Sequence, residues 1–299
     1  MKRRFHTLDV FTDTRLAGNP LAVVLDCDGL DAARMQAIAR EFNLSETVFV
    51  LAPRDPVNTI RAKIFTPAQE LPFAGHPTIG TAILIASLRA PEMAGRDLDI
   101  VIEEEVGPVR CTVRLARTGG SRASFIVPKL PERLDDPGTV AQLAQGLSLE
   151  PRDIGFDTHI PTVWSAGTPF CFVPVARLEA IARAKPTSEL AGAIGVGRGA
   201  YLYTRETAHA DNTIHTRMFG VKVGVYEDPA TGAAASAFAG VAAQFEKPDD
   251  GSHSIVIEQG FEMGRPSLIT LGMEMEGGRL VQATIGGNAV RVCDGTIEA

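Results

Sequence analysis

His76-Pro77-Thr78-Ile79-Gly80 and Asp228-Pro229-Ala230-Thr231-Gly232 share an x-Pro-x-x-Gly frame, 152 residues apart in a chain of 299. Each frame opens an uncharged stretch that reads as a buried helix, Thr78 to Leu88 in the first case and Pro229 to Phe245 in the second. Two further matches fall in the same order. Gly18-Asn19-Pro20-Leu21-Ala22-Val23-Val24 resembles Gly167-Thr168-Pro169-Phe170-Cys171-Phe172-Val173 at an offset of 149. Ile102-Glu103 leads a strand, as does Ile257-Glu258, at an offset of 155. Any one match is chance, but three in order at a nearly constant offset imply two copies of one α+β unit. A pseudo-symmetric chain of this kind is expected to hold its ligand between the copies.

The pattern outside the frames fits an α+β chain. Asp31 to Asn43 sets Met35, Ile38, Ala39 and Phe42 on one helical face, and Thr47 to Leu51 follows as a strand. Ile60 to Phe65, Leu98 to Glu103 and Val106 to Leu115 are strand candidates rich in β-branched residues. Pro128 to Gly138 is Pro- and Asp-rich and reads as a linker at mid-chain. Beyond it come a helix over Thr139 to Leu147, strands near Val163 to Val173 and Ala200 to Thr204, the Ala-rich helix and a tail of strands.

Composition narrows the function classes. With 45% hydrophobic and 22% charged residues the chain can bury a large core, and global disorder is excluded. A formal charge of −7 argues against a nucleic-acid or anionic-membrane surface. The start MKRRFHTLDVF lacks the apolar core of a signal peptide, and the longest uncharged run is too short to span a bilayer. Cys27, Cys111, Cys171 and Cys293 are far apart and form no CxxC pair, which reads as reduced core thiols in a cytoplasmic protein. His209 and His215 lack the spacing of a helical metal pair, and no metal site is expected. Gly195-Val196-Gly197-Arg198-Gly199-Ala200 fits a dinucleotide-loop pattern, but helix precedes it and strand follows, the reverse of what that loop requires. No cofactor is indicated.

The frames themselves carry the chemistry. Proline belongs at the first helical position, so His76 and Asp228 are expected at or beside the N-caps. Helix N-termini present free backbone N–H groups and a positive dipole end, which suit a carboxylate or an enolate. Read alone, Asp228 is equally a plain N-cap, His76 a structural loop residue and Glu46 a solvated charge at a strand start. Read as a pair at matched positions, His76 and Asp228 form a donor and an acceptor for proton shuttling.

Thr7-Leu8-Asp9-Val10-Phe11-Thr12, Gly18 to Val23, Phe42-Asn43-Leu44-Ser45-Glu46-Thr47, Pro72 to Gly80, Glu227 to Gly232 and Gly264-Arg265-Pro266-Ser267 resemble, in order and over nearly the whole chain, the PhzF phenazine-biosynthesis protein family. That resemblance implies the diaminopimelate epimerase-like α+β fold, with two pseudo-symmetric domains, each a curved barrel-like sheet around a central helix. The expected domains are residues 1–127 and 128–284, with the tail 285–299 returning to the first. It also implies a cofactor-independent isomerase working in the interdomain cleft, and a homodimer. Glu46 is then the acid/base, assisted by His76 and Asp228. Asn19, Gly75, Pro77, Thr78, Thr231, Gly232 and Ala233 are the substrate-binding candidates, for a small carboxylate-bearing substrate. The related epimerases carry a cysteine in each helix-start motif; His76 and Asp228 stand there instead, against a two-thiol mechanism. The phenazine enzyme has Ser where this chain has Ala233, and Ser236 lies nearly a turn further on. A metabolite-binding protein that keeps the fold without turnover is the alternative reading, favoured by Ala233.

Overall fold

The computed structural model describes residues 2–222 and 225–299, which form two compact units. The first contains the chain up to Ile126 together with Gly286–Ala299, and the second is Val127–Ile285.

The first unit is built from β1 (Lys2–Val10), β2 (Asn19–Val24), α1 (Ala32–Phe42), β3 (Glu46–Leu51), β4 (Ile60–Phe65), β5 (Glu70–Leu71), α2 (Gly75–Arg89), β6 (Asp97–Glu104), β7 (Gly107–Arg114) and β8 (Ser121–Ile126). Pairing runs β1–β2 antiparallel, β2–β3 parallel, β3–β4 antiparallel, β4–β6 parallel, then β6–β7 and β7–β8 antiparallel. The last strand of the chain, Arg279–Glu298, pairs with β8 and, over residues 289–298, antiparallel with β1, and closes the ring. Inside lies α2, whose residues from Gly75 to Ala86 are all buried. A helix apolar on every side has no solvent face, and enclosure by a sheet is what such a sequence demands. α1 packs outside the ring, setting Met35, Ile38 and Ala39 against Phe49 and Phe65.

The second unit repeats the plan. Its elements are β9 (Glu132–Arg133), α3 (Val140–Gly146), β10 (Thr162–Ser165), β11 (Pro169–Pro174), α4 (Leu178–Arg183), α5 (Leu190–Ala193), β12 (Ala200–Thr204), β13 (Ile214–Gly220), β14 (Val225–Asp228), α6 (Gly232–Phe245), β15 (Gly251–Gln259), β16 (Ser267–Glu276) and the first part of β17 (Arg279–Glu298). Ladders β10–β11, β11–β12, β12–β13, β13–β15 and β15–β16 alternate antiparallel and parallel in the order seen in the first unit. α6 takes the place of α2 and is buried over nearly its whole length. α3, α4 and α5 build a second apolar cluster, in which Leu143, Ile181 and Leu190 meet Val173 and Leu202. The helix-then-strand order around Gly195 to Ala200 is α5 followed by β12.

A polar device is repeated as faithfully as the strands. Glu103 on β6 accepts hydrogen bonds from the backbone N–H of Arg54 and of Asp55, each at 2.8 Å, and from Asn58 Nδ2 at 2.8 Å. Glu258 on β15 accepts from the N–H of Ala208 and of His209, each at 2.8 Å, and from Asn212 Nδ2 at 2.7 Å. Each carboxylate pins the loop that enters the neighbouring strand, and both are held below the usual carboxylate range, Glu103 at about 2 with the Asn58 bond the largest cause. The sequence carries the signal as Asn58-Thr59-Ile60 and Asn212-Thr213-Ile214, a repeat that the x-Pro-x-x-Gly search passes over.

Two expectations need correction. α2 begins at Gly75 with Ala74 as N-cap, which puts Pro77 third in the helix, and α6 begins at Gly232, leaving Asp228 and Pro229 outside it. The first three N–H groups of a helix have no intrahelical acceptor, so a proline costs nothing at any of these positions and does not mark which is first. The thiols also divide: Cys27, Cys111 and Cys171 are buried, but Cys293 is exposed on β17, 2.9 Å from Thr7 Oγ1. Strand alternation near the chain end turns that residue outward.

Candidate active site

In the first unit, the site begins with the way α1 ends. Asn43 takes the left-handed conformation (φ 52°), and its N–H bonds the Ala39 carbonyl. Asparagine tolerates that conformation better than most side chains, so the chain can reverse there and start β3 at Glu46. β3 lies parallel to β2 with Glu46 opposite Leu21, and Asn19, wholly buried, starts β2. His76, in the first turn of α2, sets its Nε2 3.4 Å from Glu46 Oε2. The histidine side chain is 5% exposed and that of Glu46 18%.

Burial pushes the His76 imidazole down to about 3, so it is neutral throughout the physiological range. The contact with Glu46 is therefore between a carboxyl group and a neutral ring. In such a ring Nε2 is a donor in one tautomer and an acceptor in the other, so a change of tautomer lets it meet either protonation state of the acid. Thr78 N–H donates to the Ala74 carbonyl at 3.2 Å and Pro77 has none. The amides of Gly75 and His76 are thus the ones left outside the helical ladder.

In the second unit, Asp228 closes β14 opposite Met218 and is 9% exposed. Its Oδ2 accepts from the Thr231 hydroxyl at 2.7 Å. Thr231 N–H donates to Gln259 Oε1 at 3.1 Å, and Gln259 Nε2 donates to the Asp228 carbonyl at 2.8 Å and to Thr231 Oγ1 at 2.9 Å. This network fixes the approach to α6, whose amides at Gly232 and Ala233 precede the first intrahelical bond, Ala235 N–H to Thr231 O. Ser236 is buried and its hydroxyl bonds the Gly232 carbonyl at 2.9 Å, so it offers nothing in the position Ala233 leaves without a hydroxyl.

Glu46 and His76 are thus in contact within the first unit, beside Gly75 and Pro77, and Asp228 joins Thr231 beside Gly232 and Ala233 in the second. The hydroxyls of Thr78 and Thr231 are both committed to internal partners. Sequence reasoning passed over two supporting residues, Glu104 and Gln259, which follow the repeated Glu103 and Glu258. Among the described residues no group of three or more His, Cys, Asp or Glu is placed to hold a metal ion. No helix among them is long and apolar enough to cross a membrane.

The sequence profile of the PhzC-PhzF family, described as phenazine biosynthesis-like protein, matches residues 8–295. An uncharacterized isomerase of Mesorhizobium japonicum is 50% identical, covering 99% of this chain and 98% of its own. The trans-2,3-dihydro-3-hydroxyanthranilate isomerase of Pseudomonas fluorescens is 32% identical, covering 97% of each chain. The crystal structure of a PhzF-family phenazine biosynthesis protein from Bacillus anthracis superposes with a TM-score of 0.88 at 28% identity, over 100% of both chains.

Proposed function

The chain belongs to the phenazine biosynthesis-like protein family and is an isomerase of that type, and on this premise we propose that it moves a proton on a small carboxylate-bearing substrate, with Glu46 as the acid/base. The observation that carries the reading is the 3.4 Å contact between Glu46 Oε2 and a histidine kept neutral by burial. As the carboxylate, Glu46 removes an acidic C–H proton; as the acid it returns that proton to a different carbon or to the opposite face. Neutral His76 supports both states without adding a charge that would trap one of them. General acid–base chemistry of this kind is worth about 10²–10⁴-fold in rate.

The charge that develops on the substrate needs donors already in place, and the free first-turn amides of α2 and α6 are such donors. Asp228, held by Thr231 and backed by Gln259, is assigned to substrate binding and proton handling. The proton resides on Glu46 between the two steps, so the reaction as proposed calls on no cofactor.

Proton NMR in deuterated water tests the reading. Trans-2,3-dihydro-3-hydroxyanthranilate and a panel of small amino, hydroxy and cyclic unsaturated acids are incubated with the protein and with Glu46→Gln. Deuterium incorporation or a shifted double bond, lost in the variant, is the expected result; equal exchange in both proteins removes Glu46 from its role. Ala233 favours a second reading, a metabolite-binding protein without turnover. Tight binding of a panel member with no exchange would decide for it.

A further inference from the structure

Glu104 ends β6 on the face where a carboxylate is least expected. Ile100, Ile102 and Glu104 alternate inward and are buried, while Glu103 between them turns outward to its loop. Glu104 Oε1 lies 2.7 Å from Thr78 Oγ1, which in turn lies 2.7 Å from the carbonyl of Ala74, the N-cap of α2. A hydroxyl has one proton to give. If Glu104 were ionised, that proton would be claimed by two acceptors: either the carboxylate would go without it, or the Ala74 carbonyl would keep only the Thr78 N–H, at 3.2 Å. If Glu104 is the neutral acid, its O–H donates to Thr78 and Thr78 donates to Ala74, so both bonds are made.

Three further observations agree. Glu104 Oε2 is buried without a hydrogen-bond partner, a position far less costly for a neutral carbonyl oxygen than for half of a carboxylate. No Lys or Arg among the described residues forms an ion pair with it. In the second unit, the residue after Glu258 is Gln259, which uses a neutral amide on Thr231 and the Asp228 carbonyl just before α6. Glutamine is the isostere of protonated glutamic acid, so the twin unit fills this place with a group that cannot ionise.

We infer that Glu104 is a positioning residue, acting as a neutral carboxylic acid that holds the first turn of α2 and with it His76. This inference rests on the proposed role of Glu46 and His76. Ionising Glu104 leaves the Ala74 carbonyl and the Glu104 carboxylate in competition for one hydroxyl, and the turn loosens. Burial raises its carboxyl to about 8, so the change falls at mildly alkaline pH. The titratable neighbours inside the ring do not offset it. Cys111 on β7 is itself pushed up, chiefly by burial and further by Glu104, and His76 on α2 is neutral. Lys63 on β4 alternates with the buried Ala62 and Ile64 and so faces away from the interior, where it is engaged with Glu70, 2.8 Å away.

Two measurements on the full chain test this. Infrared difference spectra across a pH titration should show a protonated-carboxyl band that disappears near pH 8 in the wild type and is absent in Glu104→Gln. The isomerisation rate should fall above the same pH in the wild type and hold in the variant, a difference of about tenfold one pH unit above the midpoint. An ionised Glu104 at neutral pH in the infrared overturns the inference. So does a folded Glu104→Gln that keeps the alkaline fall or is inactive at every pH, because glutamine supplies the same neutral bond. If no substrate turns over at all, the infrared arm still decides Glu104 while the isomerase reading fails separately.

Discussion

His76→Gln tests the electrostatics of the site without any substrate. The imidazole is 5% exposed, and burial lowers it from 6.5 to about 3. In the unfolded chain it titrates normally, so below pH 6.5 the unfolded state binds a proton that the folded state refuses, and stability is lost as the pH falls. Each unit below that point costs about 1.4 kcal/mol, so two units, near pH 4.5, cost about 2.7 kcal/mol. Glutamine keeps a polar end near Nε2 but takes up no proton. Urea unfolding of wild type and variant at neutral pH and near pH 4.5 should therefore show the wild type losing about 2–3 kcal/mol more than the variant on acidification. His6 and His159, also lowered mainly by burial, are present in both proteins and cancel in the difference. Parallel losses would mean that His76 protonates freely, and a charged histidine beside Glu46 would replace the neutral one on which the proposed chemistry depends.

Other outcomes follow from single features. Glu46→Gln should lower deuterium exchange into substrate by about 10²–10⁴-fold with little change in thermal midpoint, and loss of both together would point to a structural role instead. Gly240 lies in α6 where an added Cβ would come within 2.3 and 2.5 Å of the ring of Trp164, so Gly240→Ala should destabilise by about 1–3 kcal/mol and shift the emission of that single tryptophan; an unchanged spectrum and melting curve would contradict the packing. Cys293 should react alone with a thiol reagent in the native protein and all four cysteines after denaturation, because Cys27, Cys111 and Cys171 are buried and burial raises each of them, Cys27 to about 12.

Much of this architecture could be read in advance because its determinants are local. β4 and β12 lie where β-branched and aromatic runs end at turn residues, and they span the expected Ile60–Phe65 and Ala200–Thr204. α2 and α6 were legible because a stretch apolar all round has only one solution, to be enclosed. Their starts were not, since proline is tolerated at any of the first three helical positions and says little about which one it holds. The motif resemblance alone named Glu46 together with His76, and their contact was not legible, because no local pattern joins a strand start to a helix thirty residues on.

Glu104 shows a different kind of blindness. Glu103-Glu104-Glu105 reads as a run of solvated charge, yet alternation along β6 sends the middle residue into the ring with Ile100 and Ile102. The parity was present in Ile100-x-Ile102-x-Glu104, but a sequence reading prices a glutamate as exposed unless a partner is known, and here the partner is a threonine on a helix 26 residues away. The duplicated plan resolves it. Glu103 and Glu258 do the same work as anions, because both face loops whose backbone N–H groups stabilise charge. Glu104 and Gln259, one residue later, face helix starts from inside the ring, where charge has nothing to meet it. Position in the repeat, more than residue type, decides which carboxyl is ionised, and a reading that compares the two units place by place recovers what each unit alone conceals.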